Sequence, residues 1–239
     1  GTISQQLGRL DQADSLLSLS LDRRRAVPGR DEMGVAEGLV ALGELRIEQA
    51  RFEEGERLIR EALAIERGAL ADDHPAVRRA LSALGQVLQS RGEYDEAIAV
   101  QQELVGMAAG GDSPELAAHM SALASTHFYA GQYDTADSLN TLVLAMNRRL
   151  HGTRHPMVAE DLINLGATQL ERGDYSAAEA FDRQALEITR AWYGEDHPKT
   201  AAGLTLLARA MVYQKRNDEA KALLGEALAI RQRVYGPMH

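Results

Sequence analysis

The composition of this chain is most informative in what it lacks. None of its 239 residues is Cys, which excludes disulfides, thiolate nucleophiles and Cys-based zinc sites. A chain without Cys suits a reducing compartment, and a cytoplasmic location is expected. No apolar run approaches the roughly 18 residues that a membrane-spanning helix requires, so no membrane partner is expected.

Proline and β-branched runs are also scarce. Only six Pro occur in the sequence, and Val, Ile and Thr never dominate a segment. Ala, Leu, Glu, Arg and Gln dominate instead, and these residues lose little side-chain freedom in a helix. The composition therefore predicts an all-α fold. The formal net charge of −9 disfavours nucleic acid as a partner, because an acidic surface repels phosphate backbones.

The sequence repeats itself with a period of 42 residues. His155, His197 and His239 are spaced by 42, and Ser113 lies 42 residues before His155. His74 lies only 39 residues before Ser113, so one repeat has lost about three residues near 105–111. We expect one array over residues 1–239, with a partial repeat at 3–30 and full repeats at 31–72, 73–111, 112–153, 154–195 and 196–237.

Each repeat carries two amphipathic helices that pack closely. In the second repeat the apolar residues of the first helix have the i, i+3, i+4, i+7 spacing of a one-faced helix; they are Val77, Ala80, Leu81, Leu84, Val87 and Leu88. One position in each helix is always small, which allows backbones to approach. These positions are Gly43, Gly85, Ala124, Gly166 and Ala208 in first helices, and Ala13, Gly55, Ala97, Ala136, Ala178 and Ala220 in second helices.

The connection between the two helices has its own signature. Gly92, Gly131 and Gly173 occupy equivalent sites, where a helix stop favours a residue that tolerates positive φ. A ring or large apolar residue follows the turn in the partial repeat and in the first four full repeats. This column is Leu10, Phe52, Tyr94, Tyr133 and Tyr175.

This pattern resembles a known family. The order of motifs closely resembles the tetratricopeptide repeat. Residues 162–188 show it as Leu-x-x-Leu-Gly, then Gly-x-Tyr-x-x-Ala, then Ala-Leu. The 42-residue period and the His-Pro link are similar to the kinesin-light-chain type, and such arrays occur in bacteria. The resemblance implies an α-solenoid, a right-handed superhelix of helix-turn-helix units, whose first helices line a concave groove. It also implies a protein-binding scaffold rather than an enzyme.

The recurring His-Pro dipeptide is interpreted as architectural. Pro fixes φ near −65° and gives up an N–H that a first helical turn does not use, so Pro75, Pro114, Pro156 and Pro198 should each open a first helix. His74, His155 and His197 are then hydrogen-bonding corner residues. A metal site is the alternative, but zinc needs three or four convergent ligands, and each corner offers at most one His, which is replaced by Glu32 in the first repeat and by Ser113 in the third. Asp residues two positions before Pro are expected to favour the helix dipole.

Motifs for catalysis are missing from the sequence. It has no Gly-x-x-x-x-Gly-Lys phosphate loop, no His-Glu-x-x-His and no Gly-x-Ser-x-Gly. We therefore predict no catalytic residue, no metal and no cofactor.

The resemblance places a peptide-binding groove on the first helices. The predicted groove residues are Glu44, Arg79, Gln86, Gln89, Ser125, Phe128, Tyr129, Asn164, Arg209 and Tyr213. Exposed aromatics there would anchor a bound segment; packing between repeats is the alternative for Phe128 and Tyr129, and a merely solvated side chain is the alternative for Asn164. Trp192 is interpreted as a packing residue.

The groove acids predict the charge of the partner. Together with Glu44, four further acids outnumber the groove arginines and favour a neutral or basic segment. These acids are Glu37, Glu48, Glu160 and Glu171.

Two further interpretations of the chain stay open. Similar arrays follow serine/threonine kinase domains or signalling ATPases in bacteria, so this chain could be a regulatory or sensor arm cut from such an enzyme. Neither end shows a polar capping helix, which repeat arrays normally need. We therefore expect a piece of a longer array, and end-to-end self-association through its apolar ends is the second alternative.

Overall fold

The structure is a computed structural model that describes the backbone of residues 2–26, 31–108 and 110–236, with side chains from residue 12 onward. These described ranges contain eleven α-helices and no strand, which confirms the all-α class. The helices are α1 (Thr2–Ala26), α2 (Glu32–Glu48), α3 (Phe52–Ala69), α4 (Pro75–Arg91), α5 (Tyr94–Met107), α6 (Pro114–Tyr129), α7 (Tyr133–His151), α8 (Pro156–Glu171), α9 (Tyr175–Tyr193), α10 (Pro198–Tyr213) and α11 (Asn217–Tyr235).

The helices form two compact units, which we call unit 1 (residues 1–109) and unit 2 (residues 110–239). Unit 1 contains α1 to α5 and unit 2 contains α6 to α11. The even-numbered helices are the first helices of the predicted repeats, and each packs on the odd-numbered helix that follows it. This is the helix-turn-helix stacking of the α-solenoid that the sequence predicts.

The predicted apolar stripes form the cores of both units. All six stripe residues named for α4 are buried, and in unit 1 they pack with residues such as Leu39 and Ile59. In unit 2, Leu204 and Leu207 of α10 contribute to a comparable cluster. The loss of about three residues near 105–111 shortens α5, which has 14 residues where α3 has 18 and α7 has 19.

The small positions allow close helix contact, most strictly between α2 and α3. A Cβ on Gly43 would lie 2.7 Å from Cγ1 of Ile59 and 3.1 Å from the carbonyl oxygen of Gly55. A Cβ on Gly55 would lie 2.9 Å from Cγ1 of Ile47 and 3.0 Å from the carbonyl oxygen of Gly43. Real Cβ atoms rarely tolerate such distances, so both positions require glycine.

The His-Pro corners are helix caps. The Nδ1 atoms of His74, His155 and His197 accept hydrogen bonds from the backbone N–H two residues later, at 3.2, 3.3 and 3.1 Å. Oγ of Ser113 serves the same purpose and accepts from the N–H of Leu116 at 3.1 Å. The interpretation of these residues as hydrogen-bonding corners is confirmed.

The acids that precede the corners make more specific contacts than the predicted dipole interaction. Asp31 is itself the cap of α2, and its Oδ1 accepts from the N–H of Gly34 at 2.9 Å. Asp112 accepts from Nη2 of Arg149 at 3.1 Å, and Asp196 accepts from Nε of Arg233 at 3.0 Å. These two carboxylates therefore join the start of α6 to α7 and the start of α10 to α11, within the third and fifth repeats.

The turn glycines adopt the left-handed conformation, as predicted. Gly92, Gly131 and Gly173 have φ values of 77°, 75° and 81°. The equivalent positions in the first and fifth repeats are Ala50 and Lys215, with φ of 58° and 63°. The turn therefore keeps the same backbone geometry in the two repeats that have no glycine at this position. The predicted ring column begins α3, α5, α7 and α9, and the side chain of Leu10 lies outside the described residues.

Candidate peptide-binding surface

The predicted groove residues all lie on first helices, but they divide between the two compact units. Glu44 lies on α2 of unit 1, with Arg79, Gln86 and Gln89 on α4. Unit 2 carries the remaining residues, which are Ser125, Phe128 and Tyr129 on α6, Asn164 on α8, and Arg209 and Tyr213 on α10.

The structure brings part of the unit 2 set together around one depression of about 140 Å³. Ser125, Phe128 and Tyr129 form one wall, and Asn164 lies on the facing helix. Asn140 of α7, which the sequence analysis did not select, also lines the depression.

The aromatic side chains of α6 have different surroundings. The half-buried Phe128 ring meets Tyr129 and Tyr133 edge to face, with 5.6 Å between ring centroids in each pair. Tyr129 remains 61% exposed. Phe128 is therefore part of the wall and packs on aromatic rings of its own repeat, whereas Tyr129 leaves most of its ring exposed.

Asn140 belongs to a column of second-helix residues, each four positions after the small residue of its helix. It is 4% exposed, and the equivalent residues are Ile59, Gln101, Asp182 and Leu224. Three successive members of this column, Gln101, Asn140 and Asp182, are polar, although it follows the apolar stripe. That mismatch was the available sequence signal for Asn140.

Asp182 is the charged member of that column. A Cβ on Gly166 would lie 2.7 Å from Oδ1 of Asp182, so the glycine makes room for this carboxylate. Burial raises the pKa of Asp182 to about 6, and the positive charge of Arg209 offsets part of that shift. The predicted groove residue Arg209 thus interacts electrostatically with a buried carboxylate.

Tyr213 does not line the depression with Tyr129. Its ring stacks on Tyr175, with 5.1 Å between centroids and 23° between planes. One face of the exposed Tyr213 ring is therefore already used by packing within unit 2.

The charged residues predicted in unit 1 are paired with each other. Nη2 of Arg79 donates to Oε2 of Glu44 at 2.7 Å, and Nε donates to Oε1 at 3.3 Å. This hydrogen bonding is the main cause of a raised pKa of Arg79. In unit 2, Lys199 similarly donates to Glu160 at 3.1 Å. The Glu44–Arg79 pair leaves the predicted excess of groove acid unchanged, whereas Lys199, which was not among the predicted groove residues, offsets the charge of Glu160. Gln86 and Gln89 follow Arg79 along α4, exposed and half-buried respectively.

Three further observations concern metal binding, membrane-spanning helices and Trp192. Within the described residues, no group of three or more His, Asp or Glu is arranged to hold a metal ion. None of the described helices combines the length and apolarity needed to cross a membrane. Trp192 packs edge to face on the corner residue His155, with 5.3 Å between ring centroids, although 56% of its surface remains exposed.

The sequence matches a known family over most of its length. The family described as Tetratricopeptide repeat matches residues 34–110, 82–147, 115–191 and 178–233. The chain belongs to the tetratricopeptide repeat family. No curated protein matches this tetratricopeptide repeat chain significantly.

Several solved structures share its fold. BtubC (BKLC) from P. vanneervenii has a TM-score of 0.77 and 22% identity, over 95% of this chain and 92% of that one. A putative kinesin light chain from Podospora anserina with nearly identical TPR-like repeats has a TM-score of 0.72 and 22% identity, over 83% of this chain and 96% of that one. A Rap protein complexed with Competence and Sporulation Factor has a TM-score of 0.69 and 13% identity, over 91% of this chain and 58% of that one.

These similarities support the kinesin-light-chain-like type of tetratricopeptide repeat that the sequence indicated. At such identities they establish the fold and not the partner.

Proposed function

We propose that this chain is a non-catalytic protein-interaction scaffold, and that an extended segment of a partner protein binds in the depression of unit 2. The observation that carries the proposal is the convergence of Tyr129, Asn164 and Asn140 around one depression. Four of the residues selected from sequence alone contribute to it.

The chemistry of the depression matches a peptide. Each asparagine amide offers both donors and an acceptor, which is what a backbone N–H and C=O pair requires. Asn140 lies at the buried floor and Asn164 at the exposed rim, so the two amides are available at different depths. Tyr129 supplies a large, rigid contact of the kind that dominates many binding interfaces.

The size of the depression favours a side chain over a whole small-molecule ligand. Its volume of about 140 Å³ is well below the roughly 300–1,000 Å³ of a usual small-molecule site. A peptide that places one side chain in the depression and continues along the helix face fits this volume. The Rap protein that was solved with Competence and Sporulation Factor bound supports the idea that this fold holds a partner.

The test is peptide selection followed by affinity measurement. Peptides would be selected on the full chain from a random display library, and their Kd measured by isothermal titration calorimetry. Combining Tyr129→Ala with Asn164→Ala should weaken binding at least tenfold, because an aromatic anchor and a polar contact are lost together.

The matched control is Trp192→Ala, which removes an exposed aromatic from second helix α9, outside the depression. It should leave the Kd unchanged. Equal affinity of the control and the double variant, or no loss in either, would remove the depression from the proposal. Tyr213→Ala tests separately whether the bound segment continues to α10.

The regulatory-arm alternative rests on the family resemblance alone.

A further inference from the structure

A larger pocket lies within unit 1, and its floor contains a buried carboxylate. The pocket has a volume of about 370 Å³ and is lined by residues of α1, α2, α3 and α4. Leu17, Val40, Ala41 and Ala76 give it apolar walls, and Glu66 of α3 is its buried acid.

Glu66 is in an unfavourable position for a negative charge. It is 2% exposed, and its Oε2 atom has no hydrogen-bond partner among the described residues. Most buried polar groups in proteins do have one. Glu66 also lies in the last turn of α3, where the carbonyl end of the helix dipole disfavours an anion. Burial accordingly raises the pKa of Glu66, despite the opposing charges of His74 and Arg79.

Arg24 and Arg79 also line the pocket, and both are engaged with other groups. Arg79 is held by both carboxylate oxygens of Glu44, at 2.7 and 3.3 Å. Arg24 donates to the carbonyl oxygen of Gly34 and lies 3.6 Å from the carboxylate of Glu37. Neither guanidinium forms a hydrogen bond with Glu66 in the described structure, so the pocket contains one acid without a directly bound base.

Sister repeats show that packing at this position does not require a carboxylate. The equivalent residues in the third and fourth repeats are Asn147 and Thr189. Asn147 donates to Asp161 at 2.8 Å, and Thr189 donates to the carbonyl oxygen of Ala185 at 2.8 Å. Both side chains are neutral and each donates a hydrogen bond within the protein, although Oδ1 of Asn147 lacks a partner among the described residues. Glu66 differs in being ionisable, and its Oε2 also lacks a partner.

We propose that this pocket binds a lysine side chain from a partner polypeptide, with the ammonium group donating to Glu66. The lysine methylenes would pack on Leu17, Val40 and Ala76, and the ammonium supplies three donors to the unpartnered oxygen and its surroundings. A compact ammonium suits a single buried oxygen better than the planar fork of arginine, which favours two-point contact. The volume far exceeds the roughly 10–15 Å³ that holds one water, so a single water does not fill it. This site lies in a different unit from the depression with Tyr129 and does not depend on it.

The test uses Nα-acetyl-L-lysine N-methylamide as the probe and follows backbone amide resonances of the full chain by NMR. The norleucine analogue, which has a similar aliphatic stem without the ammonium, is the comparison ligand. We expect the lysine probe to shift resonances of Gly38, Ala41 and Ala76 and to bind about tenfold or more tightly than the norleucine probe. Equal binding of the two probes would overturn the proposal.

Variants locate the interaction. Glu66→Gln should reduce lysine binding to the norleucine level, while Glu53→Gln, an equal charge change at an exposed position of α3, should not. Tyr129→Ala should also leave lysine binding intact, which separates this proposal from the one for unit 2. If Glu66→Gln does not fold, Glu66→Thr takes its place, because a sister repeat carries Thr there. Lysine binding that survives loss of the Glu66 carboxylate would show that this pocket is not the site.

Discussion

At the scale of single residues, the corners show how one backbone requirement is met by different side chains. The cap needs an acceptor that reaches the first free N–H groups of a helix. An imidazole Nδ1 provides it at His74, a hydroxyl at Ser113 and a carboxylate at Asp31. The repetition of His is therefore a consequence of cap geometry, and it does not require a metal or a reaction.

We predict that His74→Ala lowers the free energy of unfolding by about 0.5–2 kcal/mol, the usual range for loss of an N-cap. His74→Ser should retain most of it, because Ser113 caps α6 in the same way. The exposed position of His74 keeps losses of packing small. Urea unfolding followed by circular dichroism measures both variants. Equal destabilisation by Ala and Ser would mean that the ring contributes something other than its cap.

At the scale of helices, identical residue types have opposite roles at different positions. Gly43 and Gly55 lie where α2 and α3 touch, and each would place a Cβ against backbone and side-chain atoms. Gly225 lies in the exposed interior of α11, where a Cβ would meet no atom within 4 Å. The first two glycines enable packing, while the third only weakens its helix.

We predict that Gly43→Ala destabilises the protein, because overpacking costs about 1–3 kcal/mol against a gain of roughly 0.8–1 kcal/mol in helix propensity. Gly225→Ala should stabilise it by about 0.5–1 kcal/mol. Thermal unfolding of the two variants beside the wild type gives the sign of each change. A stabilised Gly43→Ala variant would contradict the close contact of α2 and α3.

At the scale of the whole molecule, stability should depend on pH through buried carboxylates. Burial raises the pKa of Asp161 and that of Asp182 to about 6, from an ordinary value of 3.8. The folded state therefore holds these protons more tightly than the unfolded state. The contribution of these two carboxyl groups to the free energy of unfolding is most favourable below about pH 4. It falls as pH rises between about 4 and 6, and it stays unfavourable above that range.

We predict that Asp182→Asn stabilises the protein at pH 7.5, by up to about 3 kcal/mol at 1.36 kcal/mol per pKa unit. The gain should shrink as pH is lowered and should be mostly lost by pH 4. Asn140 occupies the equivalent position in the previous repeat, so an amide fits there. Urea unfolding at a series of pH values measures the difference, with Glu187→Gln on the exposed face of α9 as the control. A gain that does not change with pH would contradict this cause.

The sequence was sufficient to predict the helices, their pairing, the corners and the family, since these depend on local periodicity, cap chemistry and a pattern repeated several times. The loss of about three residues before Ser113 was also visible, and it appears as the short helix α5. Ala50 and Lys215 share the left-handed conformation of Gly92, although Ala and Lys do not by themselves predict such a turn. Repetition compensated there, because three sister turns contain glycine.

The tertiary structure alone decided which predicted groove residues meet. Periodicity places Ser125, Tyr129 and Asn164 on first helices, but only packing shows that Asn140 joins them from below. It also shows that Glu44 neutralises Arg79 and that Tyr213 rests on Tyr175. Whether a side chain is buried, paired or available depends on residues of other helices, and a repeat pattern records the spacing of helices without recording those contacts. Glu66 illustrates this difference most clearly, because it is one acid among many in the sequence and a buried carboxylate with an unpartnered oxygen in the fold.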